Sequence, residues 1–82
     1  MANKPTFVPV QIRSPLQVGQ LVRDARKRSQ LDQESTADLV GVGPRFLGEL
    51  ENGKPTVRLS LVLKVLGRLG LEVWIAPRGW KP

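Results

Sequence analysis

Apolar residues recur at helical spacing in four stretches between Pro15 and Leu69, and alternate with polar ones near each end. In the first stretch Val18, Leu21, Val22 and Ala25 form one stripe, opposite Gln17, Gln20, Arg23, Asp24, Lys27 and Arg28. Ser14 is a good cap for it and Pro15 suits its first position, where a missing N–H costs nothing. The second stretch runs from about Gln33 to Val40, capped by Asp32, and turns Thr36, Ala37 and Val40 inward. Gly41 ends it as a left-handed residue. The third, about Pro44 to Glu51, carries Leu47 and Leu50 inward and stops at Asn52-Gly53. The fourth, from Val57 or Leu59 to Leu69, has the stripe Leu59, Val62, Leu63, Leu66 and Leu69, with Gly70 closing it.

The end stretches read differently. Phe7–Ile12 alternates, with Val8, Val10 and Ile12 on one side, and Pro9 confines such a strand to an edge. Leu71–Ala76 sets Leu71, Val73 and Ile75 against Glu72 and Trp74, a strand with one buried face. Met1–Pro5 and the tail from Pro77 read as unstructured. A lone strand at Leu71–Ala76 leaves its backbone groups unpaired, so the sequence predicts pairing with its own copy across a two-fold axis.

Two short helices joined at Gly41-Val42, the second opening with Pro44, make a helix-turn-helix pattern. The third helix has a face that cannot be core: Pro44, Arg45, Gly48 and Glu49. Arg45 is the strongest base reader there, because a guanidinium grips guanine O6 and N7 together, worth about 1–3 kcal/mol of discrimination. Glu49 either accepts from a cytosine N4 or orients Arg45. Phe46 either meets a thymine methyl or packs on the preceding helix. Gly48 costs roughly 1 kcal/mol against Ala in a helix, so either DNA or a neighbouring element excludes a side chain there. Gln33, at a helix N-terminus, is placed to donate to a phosphate. Asn52 and Lys54 are the matching phosphate clamp, Asn52 alternatively being only a left-handed helix end.

These residues resemble the XRE or lambda-repressor-like helix-turn-helix family from about Ser14 to Gly70. Gln33, Ala37, Gly41-Val42 and Leu50-Glu51-Asn52-Gly53 carry the likeness. Ile12-Arg13-Ser14-Pro15, Arg45-Phe46-Leu47 and Gly53-Lys54-Pro55-Thr56, with the terminal strand, look most like HipB-type antitoxins. The implied fold class is mainly α: a four-helix domain over 14–70, an arm over 1–13, a dimerisation strand over 71–76 through Leu71, Val73 and Ile75, and a tail over 77–82. The resemblance also implies an ion pair between Arg26 and Glu51, structural in role. It implies a repressor acting on double-stranded, inverted-repeat DNA as a homodimer, and a HipA-like kinase toxin as partner. Trp80, a large aromatic outside any element, either folds back onto its own domain or is a toxin contact. Gly43 stands where the family usually has a Ser or Thr cap, and Pro44 and Gly48 replace polar readers. Few side chains then remain to read bases, which shifts specificity toward DNA shape.

Composition narrows the alternatives. Thirteen Lys and Arg against seven acids give a net charge of +6 over 82 residues, favouring an anionic partner. With no Cys and no His, thiolate or imidazole metal sites and an imidazole base are excluded. No metal or cofactor and no enzymatic activity are expected. Lys64, Arg68 and Glu72 break the longest apolar run short of a membrane span, and no signal-peptide pattern opens the chain. A cytoplasmic, nucleoid-associated protein is the expectation. Two other functions fit the same residues: a stand-alone phage-type or metabolic repressor, and a protein-interaction module that no longer binds DNA.

Overall fold

The computed structural model describes residues 9–80. It contains four helices: α1 (Pro15–Arg28), α2 (Gln33–Val40), α3 (Pro44–Glu51) and α4 (Leu59–Arg68). Local chemistry sets their ends. Ser14 Oγ accepts from the Gln17 N–H at 3.3 Å, and Asp32 Oδ1 accepts from the Ser35 N–H at 2.7 Å. That bond holds the Asp32 carboxyl below its ordinary pKa. Gly41 leaves α2 with φ +86°, where a Cβ would be strained. The expectation that Asn52 could take this role after α3 is not met. Asn52 has φ −86°, and Gly53 next to it turns left-handed at +82°. A Cβ on Gly53 would also lie 2.8 Å from Leu16 Cα, so the turn needs glycine twice over.

The core is Val22, Ala37, Val40, Leu47, Leu50, Val62, Val65 and Leu66, drawn from all four helices. Ala37 is 1 % exposed at the crossing of α2 with its neighbours. α3 packs against both α1 and α2, and α4 packs against α2. The stripe expected on α4 needs correction. Val62 and Leu66 are buried, but Val65 completes the inner face, and Leu59 and Leu63 stand exposed. α4 is apolar around most of its circumference, so spacing alone fits two neighbouring stripes. It starts at Leu59 and ends at Arg68, with Gly70 at φ +80°.

Gly19 is the tightest point. A Cβ there would sit 2.3 Å from the Leu50 carbonyl oxygen and 2.7 Å from that of Glu51. The absent side chain lets α1 rest directly on the C-terminal end of α3.

No strand forms among the described residues. Leu71 packs against the core, whereas Val73, Trp74 and Ile75 are exposed, Ile75 at 97 %. Residues 9–13 are irregular, and the beginning of the Phe7–Ile12 stretch, like Met1–Pro5, lies outside the described residues. Pro77–Trp80 closes in a turn, the Trp80 N–H donating to the Pro77 carbonyl at 3.1 Å. The last two tail residues also lie outside the description.

Candidate nucleic-acid interface

Glu51 ties three helices together. Its side chain is fully buried, and its oxygens accept from Arg26 Nε at 2.6 Å, Arg26 Nη2 at 2.9 Å and Gln33 Nε2 at 3.0 Å. Arg23 Nε adds a longer contact at 3.4 Å. Burial alone would push the Glu51 carboxyl up, but these donors outweigh it and hold it below the usual glutamate range. The same pair raises the Arg26 pKa, and Arg26 Nη1 also donates to the Leu31 carbonyl at 2.8 Å. The α1 arginine and the α3 glutamate therefore meet as the family resemblance implies.

Gln33 sits where α2 begins, with its amide nitrogen engaged by Glu51 rather than turned outward. Its Oε1 faces α3, 3.7 Å from where a Gly48 Cβ would stand. Asn52 Oδ1 accepts from Arg23 Nη2 at 3.2 Å. The outward surface of α3 gathers Arg45, Glu49 and, just beyond its end, Lys54. Glu49 Oε2 lies 3.5 Å from Arg45 Nε and 3.2 Å from Lys54 Nζ. The hydrogen bond from Lys54 lowers the Glu49 pKa. At the head of α3 Gly43 supplies no side-chain cap, and a Cβ there would meet nothing within 4 Å. Two helices, a glycine turn and an open, polar face on the second are the geometry of a groove-reading unit.

A family model for the helix-turn-helix, HTH_3, matches residues 22–73, well over half of the chain. The chain belongs to the XRE-like helix-turn-helix family. An HTH-type transcriptional regulator of Sinorhizobium fredii, y4mF, is 44 % identical over 68 residues, covering 83 % of this chain and 90 % of that protein. Among solved structures, HipB in a complex with an O2 20mer superposes with TM-score 0.75 at 22 % identity, covering 84 % of this chain and 96 % of HipB. HipB within a HipA–HipB–O2–O3 complex gives the same TM-score and identity. The restriction-modification controller protein C.AhdI of Aeromonas hydrophila is 33 % identical with TM-score 0.63, over 71 % of this chain and 88 % of that one.

Within the helix-turn-helix, Phe46 takes the packing alternative, lying against the core cluster. Sequence reasoning missed two residues. Arg23 joins Glu51 to Asn52, and its signal was its position one turn before Arg26 on the same face of α1. Gly19 was legible only as a glycine inside an apolar stripe. Trp80 is 55 % exposed and lines, with Trp74, Leu71, Ile75 and Pro9, an apolar groove of about 790 Å³. No helix among the described residues is long and apolar enough to cross a membrane.

Proposed function

We propose that the protein is a sequence-specific DNA-binding transcriptional repressor, the antitoxin of a HipA-like kinase toxin, working as a homodimer on an inverted repeat. The observation that carries the DNA-binding part is the outward face of α3. Arg45 is 91 % exposed there, on a helix whose other side is fully committed to the core. Pro44, Gly48 and Glu49 complete the base-facing surface, and Asn52 and Lys54 supply phosphate contacts at its edge. Gln33 serves from behind through Glu51 and, once DNA is bound, from the α2 N-terminus toward a phosphate.

The dimer is supported by Val73 and Ile75, exposed on a segment that, beyond the Leu71 N–H bonded to the Leu66 carbonyl, makes no backbone hydrogen bond among the described residues. Pairing two copies of 71–76 satisfies both and presents two recognition helices about 34 Å apart, one DNA turn. The operator is then an inverted repeat with half-sites about 10 base pairs apart, or a multiple of that. The toxin reading is supported by the HipB fold and by Trp80, an exposed aromatic of the kind that anchors partners.

Footprinting of the upstream region, with and without the neighbouring gene product, tests this. Arg45→Ala should lose operator preference yet keep weak general binding, whereas Gln33→Ala should weaken both, since phosphates carry no sequence. Equal losses for Arg45→Ala on operator and random DNA would reduce it to a phosphate contact. The 33 % identity to C.AhdI, above that to HipB, favours a second reading: a regulator without a toxin. A kinase-like neighbouring gene supports the first. Truncation after Arg78 should then weaken the toxin complex and spare DNA binding.

A further inference from the structure

The surface that reads as DNA-binding carries a carboxylate at its centre. Of the two acids of α3, Glu51 is consumed by the tie to Arg26, whereas Glu49 faces outward among cations. A single oxygen, Oε2, serves both Arg45 and Lys54, the two cations best placed for the groove. Stability does not account for this arrangement, because ion pairs between exposed side chains contribute little. A carboxylate here repels phosphates and occupies the cations that would otherwise bind them. On arbitrary DNA it is a cost with no return.

We propose that Glu49 is a specificity-determining residue, holding Arg45 and Lys54 as their internal counter-ion until its carboxylate meets a cytosine N4 amino group. This rests on the DNA-binding reading above. In the major groove only cytosine N4 and adenine N6 donate hydrogen bonds. Adenine N6 lies between two acceptors, its own N7 and the O4 of its paired thymine, which repel a carboxylate, whereas cytosine N4 has an acceptor on one side only, the O6 of its paired guanine. Once Glu49 is satisfied by cytosine, Arg45 is released. One turn toward the helix N-terminus on the same face, it extends to guanine O6 and N7. Lys54 turns to a phosphate at the groove edge. Each half-site therefore carries a cytosine under Glu49 and a guanine under Arg45.

The test is selection of binding sites from random-sequence duplexes by the full chain and by Glu49→Gln, with a salt titration of each on an unselected duplex. The variant should bind unselected DNA more tightly by about 5- to 30-fold at about 0.15 M salt, and its salt slope should steepen by about 0.9 for each cation released. Its selected sites should exchange the cytosine for adenine, since a glutamine pairs with adenine N6 and N7. A matching thermal midpoint shows that the variant folds, as expected for an outward side chain. An unchanged consensus overturns the proposal even if general affinity rises, because Glu49 is then only a repulsive charge. Unchanged affinity and slope on unselected DNA overturn it as well. Failure of the unmodified protein to select any sequence removes the DNA-binding reading itself, and the proposal with it.

Discussion

Replacing Glu51 with alanine isolates the tie between α1, α2 and α3. The variant removes the acceptor for two of the three hydrogen bonds of Arg26, leaving only that to the Leu31 carbonyl. Arg23 and Gln33 can turn to water, but the Arg26 side chain is only 10 % exposed and has nowhere to go. A charge stranded in this way costs about 3–5 kcal/mol. For a chain of 82 residues, total stability is of order 4–12 kcal/mol. Urea unfolding followed by circular dichroism should therefore show a midpoint lowered by about 1–5 M, with a slope near 1–3 kcal/mol/M. Combining Arg26→Met with Glu51→Leu should recover most of the loss, since a matched apolar pair avoids desolvating two charges. A loss below about 1 kcal/mol, or single losses that simply add in the double variant, would refute the reasoning. The pH dependence has a definite sign. The folded Glu51 pKa lies below its unfolded value near 4.5, so the unfolded chain binds more protons in that range. This stabilisation is fully present above about pH 5 and is lost as pH falls through the depressed folded pKa; Glu51→Ala should flatten that acid limb.

Three further substitutions probe the packing and the assembly. Gly19→Ala should lower stability by about 1–3 kcal/mol despite alanine's helix preference, because the added carbon meets the Leu50 carbonyl; an unchanged urea midpoint would show that α1 can shift away. Gly48→Ala meets only Gln33 Oε1 at 3.7 Å, so the melting temperature should rise by roughly the 4–8 °C that 1 kcal/mol gives a small domain, while operator binding weakens. A lower melting temperature would mean that the neighbouring helix, not DNA, excludes a side chain there. Val73→Asp should leave the helical circular dichroism intact and abolish both the dimer and operator binding. Sedimentation showing only monomer in the unmodified protein at micromolar concentration would remove the premise.

Helix ends were the most legible part of the chain, because each is written by a local residue: Ser14-Pro15, Asp32, Gly41, Pro44 and Gly70. The α4 face was harder, since Leu59, Leu63 and Val65 are equally apolar and only tertiary contact decides which turns inward. The tie between Arg26 and Glu51 came from family likeness, and no spacing rule links residues twenty-five positions apart. Gln33 shows where sequence reasoning stops short. Its place at the α2 N-terminus was readable, but the hydrogen bond from its amide to Glu51 depends on how α2 crosses α3. The close approach at Gly19 is likewise a property of two helices, and a one-dimensional pattern holds only half of it.

The fixing of α3 has a mechanical consequence. Its C-terminal end is tied by directional bonds, Glu51 to Arg26 and Gln33 and Asn52 to Arg23, with its last carbonyls against Gly19. Its first turn is held to the rest of the domain by the packing of Phe46 and Leu47, with no cap at Gly43. Apolar contact resists separation but is indifferent to direction, so the helix behaves as a cantilever, rooted in α1 and loaded at its reading end. The angle at which Arg45 leaves the surface is then set at the root. Substitutions at Arg23 or Arg26, both on α1, would re-aim the helix without changing one residue of its outward face.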